Sequence, residues 1–365
     1  MKIAILGTRG VPANYGGFET LAEELGARLV SRGHAVSVYG RRSHIRYAEP
    51  TYRGMRVVLL PTVPHKYLDT VVNTFLSVFH VARTDAEVVF CCNVANSPFV
   101  WVPRLAGKPT VLNVDGHDRK RRKWNWLGRA YLWVCEWLAL VTPTALVTDA
   151  RVMQDYYRQR YGKHSTVISY GAEPRDPGGA TQVLDRFGLE PGRYVLYVSR
   201  LEPENNPELV IEAFEEVKTE WRLAVVGDSR YQPDYEKRLR QTRDRRIVFT
   251  GAIYGDDYWQ LQQHAGLYVH ATEVGGTHPA LLEAMACGNC VLYLDTPENA
   301  EVAGETGMPY QASPEALGHA LLRLLGDASL RERLGGCARQ RARERYHWDK
   351  ITTQYEGLFS RLARS

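Results

Sequence analysis

Long apolar runs are missing from this sequence. The longest, Tyr131 to Val147, contains Glu136 and Pro143 and falls short of the roughly 20 apolar residues that a membrane-spanning helix needs, so it divides into an amphipathic helix and a strand. Cysteine is scarce, with 6 in 365 residues, which excludes a disulfide-stapled scaffold and fits a reducing cytoplasm. Cys91, Cys92, Cys135 and Cys290 lie in apolar runs, where a thiol packs as a small hydrophobe. Cys287-Gly-Asn-Cys290 has redox spacing but falls where a helix ends at Gly288 and a strand begins, which favours packing. Charge of one sign is also lacking: 46 basic against 41 acidic residues leaves +5, too little to mark a nucleic-acid binder. The opening Met1-Lys-Ile-Ala-Ile-Leu-Gly7 has one basic residue and too short an apolar stretch for a secretory signal, and reads as a strand. Neither G-x-G-x-x-G nor G-x-x-x-x-G-K-[ST] occurs, so dinucleotide enzymes and P-loop NTPases lose their main support. Asp-x-Asp is absent and no His, Cys and carboxylate residues recur at metal spacing, so no cofactor and no obligatory divalent ion is expected.

What is present is an α/β pattern. Short β-branched runs at Ile3–Leu6, Ala35–Tyr39, Val57–Leu60, Val88–Cys91, Thr110–Val114 and Ala145–Thr148 alternate with helical periodicity. A second series follows at Tyr194–Val198, Leu223–Val226, Ile247–Thr250, Leu267–His270 and Val291–Leu294. Two doubly wound domains are predicted, 1–171 and 172–346, joined by the Gly- and Pro-rich stretch Tyr170 to Thr181. A closing helix over 347–365 carries an apolar stripe of Tyr346, Trp348, Ile351, Tyr355 and Leu358 that another element must cover.

Open parallel sheets bind ligands beyond the carboxyl ends of their strands, so the loops there carry the chemistry. Gly7-Thr-Arg-Gly-Val-Pro-Ala-Asn-Tyr-Gly-Gly17-Phe-Glu-Thr20 is a glycine-rich turn feeding a helix; Gly16 and Gly17 either bring backbone N–H groups to an anion or merely reverse the chain. Thr272-Glu-Val-Gly-Gly-Thr-His-Pro-Ala-Leu-Leu-Glu-Ala-Met-Ala-Cys-Gly288 follows a strand and opens a helix. There Thr277 or His278 caps, Pro279 suits the first turn, and Gly275 and Gly276 bare the backbone where orphan N–H groups favour a diphosphate. Glu283 lies one turn on, roughly 6 Å above Pro279, where a carboxylate would accept both hydroxyls of a ribose. Its alternative is an exposed helix glutamate.

This segment resembles the nucleotide-sugar motif of glycosyltransferase family 4, retaining enzymes of GT-B architecture. The opening Gly-Thr-Arg-Gly-Val-Pro…Tyr-Gly-Gly-Phe-Glu-Thr resembles the rhamnosyltransferase-like bacterial branch of that family. Val198-Ser-Arg-Leu-Glu-Pro-Glu-Asn-Asn206, Val225-Val-Gly-Asp228, Val248-Phe-Thr-Gly-Ala-Ile253 and Tyr346-His-Trp-Asp349 extend the resemblance over nearly the whole chain. It implies two facing Rossmann-like domains, with the helix 347–365 crossing back to pack on the first, acceptor-side domain. The second would bind a nucleoside-diphosphate sugar. Arg200 would hold the donor diphosphate and stabilise the leaving charge, or else pair with Glu202 or Glu204 as a surface arginine. Ile253 would meet the base, Gly227 would belong to the donor site, and Gly276, Thr277 and His278 would line the diphosphate and sugar, approached by Gly16 and Gly17.

Three positions depart from the family pattern. Gly275 stands where a glutamate is usual, with Glu273 displaced by two; Asn205 replaces a lysine; and Asp115-Gly-His117-Asp stands where a histidine often precedes glycine. Asp115 would bind a sugar hydroxyl, act on the acceptor or cap its loop, and His117 would supply an imidazole. Arg119, Lys120, Arg121, Arg122 and Lys123 precede Trp124, Trp126, Trp133 and Trp137, which reads either as a peripheral contact with acidic lipid at the inner membrane face or as a solvated helix start.

The expectation is a cytoplasmic, metal-independent retaining glycosyltransferase. It would move a hexose or deoxyhexose, rhamnose foremost, to a hydroxyl of a glycan, lipid-linked or small-molecule acceptor by same-face substitution. The alternatives are a non-transferring GT-B enzyme such as a nucleotide-sugar epimerase and, from another class, a nucleic-acid-binding protein, for which no docking element accompanies the basic segment.

Overall fold

The computed structural model describes residues 1–65, 68–122, 124–176, 178–229 and 232–364, and the backbone alone of Lys120. It divides into one unit of Met1–Gly171 with Trp348–Ser365 and another of Ala172–His347.

The first unit is built on β1 (Lys2–Leu6), β2 (Ala35–Arg41), β3 (Thr51–Tyr52), β4 (Met55–Leu60), β5 (Val88–Cys92), β6 (Thr110–Val114), β7 (Ala145–Thr148) and β8 (Thr166–Val167). They pair in the order β3-β4-β2-β1-β5-β6-β7-β8, parallel throughout except β3 with β4. Strands this apolar on both faces need helices on both, and alternate residues sort accordingly. Val89, Cys91, Leu112 and Val114 pack with Val78, Val81, Leu132 and Cys135 of the helices Leu68–Ala82 and Trp126–Leu138. Phe90 and Asn113 point the other way. Phe90 meets the rings of Tyr355 and Phe359 at 5.1 and 5.7 Å, and Asn113 Nδ2 donates to the Tyr355 hydroxyl at 2.7 Å.

The cover for the C-terminal stripe is therefore the sheet of the first unit. The helix itself runs Trp348–Ala363, with Trp348, Ile351, Thr352, Tyr355, Leu358 and Phe359 buried. Tyr346 leaves the stripe: it caps the preceding helix Ala328–Arg345, and its carbonyl accepts from Ala172 N at 2.7 Å. Trp348 lies so close to Gly171 that a Cβ there would sit 2.4 Å from its ring, which is why that position has no side chain.

The second unit carries β9 (Tyr194–Val198), β10 (Arg222–Val226), β11 (Ile247–Gly251), β12 (Leu267–His270), β13 (Val291–Leu294) and β14 (Met308–Tyr310), all parallel in the order β11-β10-β9-β12-β13-β14. Val195, Tyr197, Val225 and Val269 pack with Val210, Phe214, Leu317 and Leu321 of the helices Pro207–Glu216 and Pro314–Gly326. Three strands escape the sequence pattern, β3, β8 and β14, because each is only two or three residues long at a sheet edge. β3 exists because Arg53 and Gly54, both at positive φ (48° and 79°), turn the chain back onto β4.

Replacing Tyr355 with phenylalanine leaves the buried Asn113 amide without its hydroxyl partner. Urea unfolding should show a loss of about 1–3 kcal/mol; an unchanged midpoint would mean the helix is held by apolar contact alone.

Candidate active site

In each sheet the chain winds outward in one direction and then in the other, leaving a switch point beyond the strand ends where loops diverge. In the second unit it lies between β9 and β12. The loop after β9 holds Arg200 and Asn205; the loop after β12 holds Gly275, Gly276, Thr277 and His278 and leads into the helix Pro279–Cys287. Hydrogen bonds tie these loops together: Glu273 N donates to Glu204 O at 2.9 Å, and Asn206 Nδ2 donates to Glu273 Oε1 at 3.0 Å and to Ala271 O at 2.9 Å. Glu273, displaced from the family position, thus joins loop to loop.

Arg200 is partly exposed, its Nη1 3.6 Å from Glu202 Oε2. Asn205 is buried and donates from Nδ2 to the Arg200 carbonyl at 2.7 Å, closing the turn on which the arginine sits. Gly227, at φ 144°, passes so close to β9 that a Cβ would lie 1.8 Å from Ser199 O; only glycine allows the two strand ends this approach. Ile253 is half-buried in the turn after β11.

The helix Pro279–Cys287 has His278 at its N-cap without a side-chain cap, whereas Thr296, Ser313 and Asp327 each cap the helix that follows them. Gly276 and Thr277 are buried at its mouth, and Gly275 is crowded by the His278 imidazole, 2.3 Å from where a Cβ would stand. Glu283 is half-buried and accepts from the Tyr258 hydroxyl, which in turn accepts from Gln262 Nε2 at 2.8 Å. Sequence reasoning missed Tyr258; its only trace is the helical i, i+4 spacing to Gln262. Behind the mouth His270 is buried, its ring 4.7 Å from that of His278. Burial pushes its imidazole down to about 3, outweighing the bond with Asn299, so it stays neutral near pH 7.

The switch point of the first unit lies between β1 and β5. Gly7 sits there at φ 86°, where a Cβ would lie 2.3 Å from Cys92 O. The helix Gly17–Ser31 anchors the loop before it: Glu19 Oε1 accepts from Arg9 N and Glu23 Oε2 from Ala13 N, both at 2.7 Å. Gly16 is the N-cap of that helix and Gly17 its first residue. Beyond β6, the Tyr170 hydroxyl donates to Asp115 Oδ2 at 3.3 Å, and Arg121 Nε donates to Asp118 Oδ1 at 2.8 Å. Burial first, then the Asp118 charge, raise the Asp115 carboxyl to about 7, against the lowering influence of Arg121 and Tyr170. The His117 ring is buried edge-on against Tyr156 at 4.3 Å. Asp118, Arg121 and Tyr170 had no signal in the sequence as members of this cluster.

The thiols are inert: Cys287 and Cys290 are free and buried, and burial raises both to about 12.

Residues 15–175 match the family model described as Glycosyltransferase Family 4, and residues 192–327 the model described as Glycosyl transferases group 1. Together the two glycosyltransferase models match most of the chain. It is 30% identical over 331 residues to sulfoquinovosyl transferase SQD2 of Arabidopsis thaliana, covering 83% of this chain and 63% of that one. It is 27% identical over 188 residues to O-antigen chain mannosyltransferase B of Escherichia coli, covering 50% of this chain and 49% of that one. The matches thus span about half to three-fifths of these relatives. The structure of Anabaena HepE in complex with UDP-glucose superposes with a TM-score of 0.80 at 19% identity over 99% of both chains, which shows the GT-B fold.

Because unfolded histidine titrates near 6.5, an imidazole held at about 3 in this glycosyltransferase costs stability as pH falls below 6.5. Between pH 7 and 5 that loss is about 2 kcal/mol. Guanidinium unfolding at both pH values should show His270→Phe losing that much less than the native chain, and parallel losses would refute the assignment.

Proposed function

We propose that this glycosyltransferase transfers a hexose or deoxyhexose from a nucleoside-diphosphate sugar to a hydroxyl of a glycan or glycoconjugate, with retention and without a metal ion. The observation that carries the reading is the helix Pro279–Cys287: it starts at a switch point just after the glycine pair Gly275-Gly276, and a carboxylate stands one turn inside. A diphosphate would supply the anion that its N-terminus attracts, with Gly276, Thr277 and His278 around it. Glu283, oriented by Tyr258, would accept the ribose hydroxyls, and the base would rest at Ile253. Arg200 would neutralise charge accumulating on the leaving diphosphate, its turn kept in shape by Asn205 and Gly227. Same-face substitution suits the chain, since the leaving phosphate then takes the proton of the incoming hydroxyl. Asp115 and His117 would receive the acceptor.

Rhamnose is the first sugar to try, because the opening segment resembles the rhamnosyltransferase-like branch. Mannose belongs beside it, since a relative is named a mannosyltransferase, and a uridine nucleotide is supported by the UDP-glucose complex of a protein with the same fold.

A panel of UDP-, GDP-, dTDP- and ADP-sugars, read by thermal shift and nucleotide release in chelator, tests the reading. The matching donor at 100 times its dissociation constant should stabilise by about 2.7 kcal/mol. Glu283→Gln should raise the donor KM roughly 10- to 100-fold, as expected for a lost hydrogen bond to a charged group. Arg200→Ala should lower kcat by about 10²–10³; a loss confined to stability would reduce it to the partner of Glu202. Change of the nucleotide sugar without an acceptor would indicate an epimerase.

Asp115 titrates near 7 and loses its charge below that pH. If it acts on the acceptor, kcat/KM should fall on the acid side with a midpoint near 7, and Asp115→Asn should lose that limb together with most of the rate. An unchanged limb would leave the residue a loop cap.

A further inference from the structure

The face of the first sheet that carries the helices Leu68–Ala82, Trp101–Leu105 and Trp126–Leu138 is apolar where it meets solvent. Among the described residues, every large hydrophobic side chain exposed to solvent lies between Val63 and Val141, except Tyr254 and Leu322. On Trp126–Leu138 the inward side is Gly128, Leu132, Cys135 and Glu136, while Trp126, Trp133 and Trp137 recur at helical spacing outward, 74%, 46% and 51% exposed. A surface helix of a water-borne domain puts polar residues on that stripe. Val141 prolongs it, and Leu105, 78% exposed, adjoins through Arg104, whose Nη1 donates to Val141 O at 2.9 Å.

Between Val94 and Thr144, the stretch that carries the tryptophans, the exposed charges have one sign. The acids between Val94 and Thr144 are Asp115, Asp118 and Glu136, none of them exposed; Asp118 holds Arg121, and Glu136 lies 3.4 Å from Arg119 Nε. Arg119 and Arg121 are thus turned inward to ion pairs, away from the lipid contact that the basic run suggested, while Lys123 and the Lys120 side chain lie outside the described residues. The exposed charges described in this stretch are Arg104, Arg122 and Arg129, all positive.

We infer that this face docks on a lipid bilayer bearing anionic headgroups. The tryptophan stripe enters the boundary between headgroups and acyl chains, where indole rings settle, and the guanidinium groups meet lipid phosphates. A broad indole surface flanked by the exposed arginines Arg104, Arg122 and Arg129 suits a bilayer with anionic headgroups. No helix among the described residues is long and apolar enough to cross a membrane, so the contact is peripheral.

Co-sedimentation with phosphatidylcholine vesicles, with and without about 30% phosphatidylglycerol, tests the inference. The native chain should partition at least tenfold better onto the anionic vesicles, with a blue shift of tryptophan emission and a loss of binding in high salt. The variant Trp133→Ser/Trp137→Ser should lose at least tenfold in partition while keeping its melting temperature, and Arg122→Gln/Arg129→Gln should lose the preference for anionic lipid. Equal partition of native and tryptophan variant would overturn the inference. So would a native dimer that ignores vesicles and dissociates in the tryptophan variant, which would make the face a contact between copies.

Discussion

Parallel pairing on both edges of one inner strand is the constraint on which each unit rests. β1 bonds to β2 and β5, and β9 to β10 and β12, so the connections on either side leave in opposite directions and open a crevice. The crevice forms only if the strand ends approach closely, and at both switch points glycine permits it: Gly7 against Cys92 and Gly227 against Ser199. A methyl group at either place would push the chain off the ladder that fixes the register.

Given that frame, the loops must be held in place, and carboxylates do the holding. Glu19 and Glu23 reach back from their helix to backbone N–H groups of the preceding loop, while Glu273 spans the two loops of the second unit. The buried charge of Glu19 and Glu23 is tolerated because each finds a backbone donor. Glu24 shows the balance: burial raises its carboxyl, but Arg53 and Arg28 pull it down to about 2. The basic tail follows the same logic, since Arg339 and Arg341 donate to the carbonyls of Cys287, Val302 and Glu301 and serve as internal braces.

The two faces of the first sheet are treated differently. One receives the helix Trp348–Ala363 and becomes core. The other receives helices whose outer sides keep exposed tryptophan, phenylalanine and leucine side chains.

Much of this was legible in the residues. The eleven strand segments read from alternation and β-branching recur within two residues, because a strand buried on both faces has little freedom in composition. Gly275, Gly276 and Glu283 were visible as a glycine pair before a helix bearing an acid one turn in, a local pattern fixed by helical rise. Tyr258 behind Glu283 and Tyr170 beside Asp115 were invisible, since each meets its partner only through folding, whereas Glu202 beside Arg200 was one of the two readings of that arginine. The basic run was legible only in part for the same reason: five like charges look outward in one dimension, yet Arg119 and Arg121 meet carboxylates while Arg122 stays exposed. By itself, then, the sequence determined the strands and the start of the helix that carries Glu283, both written in short-range periodicity. Only the tertiary structure decided which side chains orient, titrate or face solvent, because those properties depend on neighbours brought together across the sheet.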